Sequence, residues 1–274
     1  MKVWVDDVLL DADGAAVSVF DHGITVGDGV FETAKVVDGV AFALTRHLDR
    51  LQQSSAGLGL AIDRARVRDA VSAVIDANSP LPLARLRITV TGGHAPLGSD
   101  RADATPSLIV AVAPTTPWPA YADVITVPWT RNERAATAGL KTTSYADNVV
   151  ALARAHEAGA QEAIFPNNRG ELCEGTGTNI FIGLDGALVT PPLSSGCLPG
   201  VTRALLVEWL ADIVERPTPM ASLAQASEAF LASSTRDVQP IRMVDGVPLP
   251  ATPGPLTQHA ATVFSERAAA NPDP

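Results

Sequence analysis

From Pro114 to Asp123 the chain reads PTTPWPAYAD, and its three prolines deny the stretch both a helix and an internal strand. The fold must therefore be built from two halves joined there. The expected division is an N-terminal domain over 1–114, a linker over 115–123 and a C-terminal domain over 124–274. With 274 residues and 46% hydrophobic content, each half has apolar side chains enough for its own core.

In the first half, MKVWVDDVLLDADG alternates like a strand and a turn. Segments 31–37 and 40–44 read as strands around Asp38-Gly39, a two-residue signal for a tight hairpin. Thr45 reads as the N-cap of a helix carrying Leu48, Leu51 and Leu58 at helical spacing. A second helix is expected over 64–77, then strands at 86–91 and 108–113. The second half reads as strands at 124–129, 162–165, 179–182, 229–233 and 241–244, with helices over 145–158, 201–214 and 255–270. Meanders and hairpins mixed with helices, without regular βαβ alternation, argue for two α+β domains and against a doubly wound sheet. Gly175-Thr-Gly177 could open a dinucleotide fingerprint, but Ile180 stands at the third glycine position and a strand follows. No Walker A, GxSxG or HExxH sequence is present.

Charge narrows the partners. A formal net charge of −10 and a pI near 4.9 oppose a polyanion-binding surface, so nucleic acid is not an expected partner. No apolar run approaches a membrane span, and the first residues lack the charged and apolar regions of a secretory signal; the expectation is a soluble, cytoplasmic protein with no membrane contact. Cys173 and Cys197 are too few for a disulfide framework and lack CxxC spacing, which leaves them as buried thiols and gives no metal site.

The chain holds only three lysines, Lys2, Lys35 and Lys141, so an amine nucleophile has few possible locations. Lys2 sits in a terminus that frays. Lys141 lies in GLKTTSY, between a loop of small residues and a predicted helix. Glu174 lies in ELCEGTGTN, a carboxylate at a glycine turn entering an apolar strand. In LPGVTR, Gly200, Val201 and Thr202 stand at a helix N-terminus, where free backbone N–H groups, a hydroxyl and the dipole together suit a phosphate. Ser233 and Ser234 add hydroxyls after a strand, and Arg50 offers a planar fork that matches phosphate oxygens.

Taken in order, DHGITVGDGVFETAKV, HLDRL, GLKTTSYADN, ELCEGTGTNIF, CLPGVTRAL and SSTRDVQPI resemble the class IV, fold-type IV pyridoxal-phosphate aminotransferases over nearly the whole chain. That family includes D-amino-acid and branched-chain aminotransferases and aminodeoxychorismate lyase. The resemblance implies a small N-terminal α/β domain, a larger C-terminal pseudobarrel domain, pyridoxal 5'-phosphate as cofactor and a homodimer. It places Lys141 at the Schiff-base lysine, Glu174 at the acid facing the pyridine nitrogen, and Arg50 at the phosphate arginine. Leu198 matches the residue packed on the cofactor ring, Val201 and Thr202 the phosphate-binding helix start, Ser234 the last phosphate-side hydroxyl, and Tyr145 a cofactor-contacting tyrosine displaced by one residue.

The substrate end departs from the D-amino-acid enzymes. Where those carry a tyrosine in GDGVYE and an Arg-x-His in the loop after the RITVT-like strand, this chain has Phe31, Leu97 and Ser99. Arg101, Arg131 or His94 is expected to hold a substrate carboxylate instead. The implied reactions are aminodeoxychorismate lyase chemistry, giving 4-aminobenzoate and pyruvate, or transamination. The donors would be D-amino acids, R-amines or branched-chain L-amino acids. A non-catalytic binding protein on the same fold is the reading from outside enzymology.

Overall fold

A computed structural model describes residues 1–274, which form two compact units. The first comprises Met1–Pro117, Leu140–Tyr145 and Asn271–Pro274; the second comprises Trp118–Gly139 and Ala146–Ala270. The first segment of one unit ends at Pro117 and that of the other begins at Trp118. The expected domain ranges nevertheless need correction, because the segment bearing Lys141 and the last four residues fold with the first unit.

In the first unit, β1 (Lys2–Val5) and β2 (Val8–Asp11) precede a single turn, α1 (His22–Thr25), which the Asp21 side chain caps. Then come β3 (Gly29–Val37), β4 (Val40–Ala41), α2 (Leu44–Gly57), α3 (Arg64–Asn78), β5 (Leu83–Thr91) and β6 (Ser107–Pro114). The strands form one antiparallel sheet in the order β2-β1-β6-β5-β3-β4. Asp38 and Gly39 both have positive φ, +48° and +79°, as a tight primed turn requires. Alternation gives the sheet two faces. Val30, Ala34, Val36, Leu86, Ile88 and Val110 pack in a buried core with Leu48 and Leu51 of α2 and Val67, Val71 and Val74 of α3. Phe31, Thr33 and Lys35 of β3, with Arg85, Arg87 and Thr89 of β5, point the other way.

Thr45 is not the N-cap of α2. Ala43 occupies that position in the left-handed region, φ +52°, without a side-chain cap. Thr45 lies inside the first turn, where its N–H and hydroxyl donate to Asp273 at 2.8 and 2.6 Å. The capping carboxylate comes from the far end of the chain, which no local sequence window contains, and its charge suits the positive end of the helix.

The second unit contains β7 (Ala122–Thr126), α4 (Ala146–Glu157), β8 (Glu162–Pro166), β9 (Leu172–Gly175), β10 (Asn179–Leu184), β11 (Ala187–Thr190), α5 (Val201–Trp209), β12 (Val214–Glu215), β13 (Ala229–Ser233), β14 (Asp237–Val244), β15 (Val247–Pro248) and α6 (Pro255–Ala270). Its strands run β10-β13-β14-β7-β8-β9, and β9 pairs back onto β10. The ring is closed, which removes exposed strand edges and produces the expected barrel-like domain. The helix expected to reach Val214 stops at Trp209: Leu210 turns extended and buries its side chain, and Val214 becomes a strand residue beside Val189.

Candidate active site

Lys141 belongs to a segment stitched onto the start of β3. Its carbonyl accepts the Phe31 N–H at 3.0 Å, Thr143 N–H donates to the Gly29 carbonyl at 2.8 Å, and Thr142 bridges Val30. The Lys141 N–H donates to Ser54 Oγ of α2 at 3.1 Å. Held from both sides, the side chain projects over the Phe31 ring, its Nζ 4.3 Å from the ring centroid. Tyr145 meets the same ring edge-on with centroids 5.2 Å apart.

Across the sheet from Phe31, Glu32 points toward α2 and is wholly buried. Arg50 donates to both its oxygens, from Nε and Nη2 at 2.7 Å each, and His47 Nδ1 lies 2.7 Å from Oε2. Burial alone would raise the Glu32 carboxyl pKa; the Arg50 charge and the hydrogen bonds outweigh it and hold the carboxyl far below its usual range. Burial lowers the His47 pKa against the raising effect of Glu32.

In the second unit, Glu174 stands on β9 opposite Asn179 of β10 and Phe165 of β8. Its Oε2 accepts the Leu198 N–H at 2.8 Å. Arg131 Nε lies 2.9 Å from Oε1, an ion pair whose alignment falls short of a hydrogen bond. Arg131 also donates to Asn148 Oδ1 at 2.8 Å and stacks on Phe165 at 4.0 Å. The same Asn179 donates from its side chain to the Leu198 carbonyl at 2.9 Å and faces Ala232 of β13 in register, next to Ser233. One residue thus gathers the carboxylate, the Leu198 loop and the β13–β14 turn at one end of the ring. Gly200 packs so tightly on the Asn179 amide that a Cβ has no room, and it leaves α5 without a side-chain cap. Thr202 Oγ1 is buried there with no partner. Ser233 Oγ accepts the Arg236 N–H at 3.3 Å.

The residues expected to bind a substrate carboxylate are otherwise engaged. Arg101 forks onto Asp28 and donates to the Leu58 carbonyl at 2.7 Å; these bonds keep the Asp28 pKa low and the Arg101 pKa high. Arg131 serves Glu174. His94 bonds Ser18 Oγ at 3.0 Å and leans on Phe20, while Leu97 and Ser99 lie exposed in the same loop. Of that set, Phe31 lies beside Lys141. The sequence reading missed Arg87, whose guanidinium carbon sits 3.3 Å from the Phe31 centroid. The signal was there: in LARLRITVT, Arg85, Arg87 and Thr89 alternate with Ala84, Leu86 and Ile88 and so share the face of Phe31. Cys173 and Cys197 are free and buried, with burial pushing the Cys197 thiol up to about 11.

Residues 29–244 match the amino-transferase class IV family. The chain belongs to the class IV aminotransferases. This aminotransferase is 31% identical over 278 residues to the branched-chain-amino-acid aminotransferase of Pseudomonas aeruginosa, covering 93% of the chain and 89% of the relative. It is 28% identical over 273 residues to a D-alanine aminotransferase of Bacillus licheniformis, covering 96% of each. It also superposes, with a TM-score of 0.85 and 28% identity, on a PLP-bound hypothetical aminotransferase of Mycobacterium tuberculosis, over 98% of each chain. The fold is fold-type IV, and enzymes of this class work with pyridoxal 5'-phosphate. The residues present fit that group. An uncapped helix start with an orphaned hydroxyl suits its phosphate, and a carboxylate paired with Arg131 suits its ring nitrogen.

Proposed function

We propose that the aminotransferase transfers the amino group of an amino acid to a keto acid, with Lys141 as the residue to which pyridoxal phosphate is attached. The observation that carries this reading is the fixed placement of Lys141: its backbone is bonded on one side to β3 and on the other to Ser54, with the amine over Phe31. Bound pyridoxal phosphate supplies an electrophilic carbon for the substrate amine and a protonated ring that withdraws electrons from the substrate Cα. As a free amine, Lys141 Nζ would act as the base that takes the proton from that Cα and as the acid that gives it back. Glu174, paired with Arg131, would face the ring nitrogen and favour its protonated form. As the resemblance implies, Gly200, Val201, Thr202, Ser233, Ser234 and Arg50 would hold the phosphate, and Leu198 and Tyr145 would contact the cofactor. Glu32 and His47 fix the orientation of Arg50 from the buried side.

Elimination with release of pyruvate, the aminodeoxychorismate lyase reaction, begins with the same proton removal. Relatives named as D-alanine and branched-chain aminotransferases favour transamination instead. Exposed Val19, Phe20, Ile24, Val26 and Leu97 in the first unit give a second copy of the chain an apolar surface to cover, in support of a homodimer. Two free thiols suit a reducing compartment such as the cytoplasm, and no helix is long and apolar enough to cross a membrane.

The test is optical and chemical. The purified protein should be yellow, borohydride should fix the cofactor covalently, and peptide mass spectrometry should find it on Lys141. Lys141→Ala should fold but lose the visible band; covalent labelling that persists in this variant would overturn the assignment. Bleaching of the band by D-alanine or by L-leucine decides the stereochemistry, and pyruvate released from aminodeoxychorismate would select the lyase.

A further inference from the structure

Arg87 stands on the open face of the first unit's sheet, opposite Thr33 of β3 and Ala111 of β6. Its guanidinium carbon and the Lys141 amine lie 3.3 and 4.3 Å from the same Phe31 centroid, so the two cations are less than about 8 Å apart. The residue is exposed overall, yet crowding around its head lowers its pKa to about 10, with the Tyr145 and Glu32 charges acting the other way. No carboxylate of the chain forms an ion pair with it. Its one side-chain hydrogen bond runs from Nε to Thr89 Oγ1 at 3.3 Å. Arg50, Arg101, Arg131 and Arg236 each have an acidic partner, in Glu32, Asp28, Glu174 and Glu162. Arg87 has the fork geometry and lacks the anion.

We propose that Arg87 binds the α-carboxylate of the substrate and so makes this aminotransferase an enzyme of α-amino acids rather than of simple amines. The proposal rests on Lys141 being the reactive amine. Of all substrate carboxylates the α-carboxylate lies nearest the carbon whose amine is exchanged, and Arg87, which has no acidic partner, shares the Phe31 ring with Lys141. The Phe31 ring, 3.3 Å from the guanidinium carbon, and the Nε bond to Thr89 hold the head in place, and its Nη groups are left to meet a carboxylate. The aromatic ring thus takes part through shape, where a tyrosine would have used its hydroxyl.

The experiment follows loss of the visible band of the holoenzyme in half-reactions with alanine, leucine, glutamate and 1-phenylethylamine, for wild type, Arg87→Gln and Arg87→Lys. In Arg87→Gln the KM for alanine and leucine is expected to rise about 30-fold or more, with kcat changed less, and the KM for the amine to stay within about 2-fold. Arg87→Lys, which keeps the charge but not the fork, falls between. Propionate, a carboxylate without an amine, should perturb the wild-type band on binding and lose that effect in Arg87→Gln, a readout that needs no turnover. An equal rise for amine and amino acids, an effect confined to glutamate, or unchanged propionate binding each overturns the proposal. A wild-type band that no donor bleaches overturns the transaminase reading itself, and Arg87's role with it; bleaching by the amine in every variant shows that only Arg87's part has failed.

Discussion

The two faces of the first unit's sheet treat positive charge in opposite ways. On the face packed against α2, Arg50 is nearly excluded from solvent and is matched by the fully buried Glu32, with His47 completing the cluster. On the open face, Arg87 sits in a crowded spot beside Phe31 with no carboxylate partner. A matched buried pair is expensive to break and fixes geometry. A partly desolvated cation without an anion is suited to take one up, which is what the proposal for Arg87 uses. Both arginines serve the chemistry proposed here, one by being held still and the other by being left open.

The contrast can be broken most directly at Glu32. Glu32→Gln leaves Arg50 buried beside a neutral amide and is expected to cost about 3–5 kcal/mol of unfolding free energy in urea titration. A loss below about 1 kcal/mol would mean that Arg50 does not depend on its carboxylate.

His47 sharpens the comparison through pH. Its pKa in the fold lies below the ordinary 6.5, so beneath that pH the unfolded chain binds the extra proton more readily than the fold does. Its contribution to stability is complete above 6.5 and declines as the pH drops below it, by at most about 1.4 kcal/mol per pH unit. The depressed carboxyl of Glu32 loses its contribution only at more acidic pH, below the ordinary range of a glutamate. In His47→Gln, thermal unfolding between about pH 5 and 6.5 should lose the extra slope.

At the start of α2, Asp273→Ala removes the remote cap and should cost about 1 kcal/mol. Faster hydrogen exchange confined to the first turn would confirm that the cap acts locally. The smallest effect is expected for Arg101→Gln. Its partner Asp28 and its own side chain both keep contact with water, so stability should change by about 1 kcal/mol or less and the KM for alanine not at all. A large KM change in Arg101→Gln with none in Arg87→Gln would reverse the roles assigned to the two.

Much of this was legible in the chain. Scarcity singled out Lys141 among three lysines, the Asp38-Gly39 turn and the leucine spacing of α2 fixed local elements, and α6 falls on the expected 255–270. Local pattern failed where a partner lay far along the chain. Asp273 caps a helix 228 residues away, the Lys141 segment leaves its sequence neighbours to pair with β3, and Arg101 and Arg131 are taken up by Asp28 and Glu174. A sequence shows an arginine but not whether its charge is already met.

The sequence by itself determined the family's ordered motifs and the scarcity of lysine that makes Lys141 the candidate amine, because these depend on residue type, spacing and rarity. Which arginines already have an acidic partner was decided by the tertiary structure alone. Ion pairing depends on distances of a few ångströms between residues that the chain keeps dozens of positions apart, and only the folded sheet sets them.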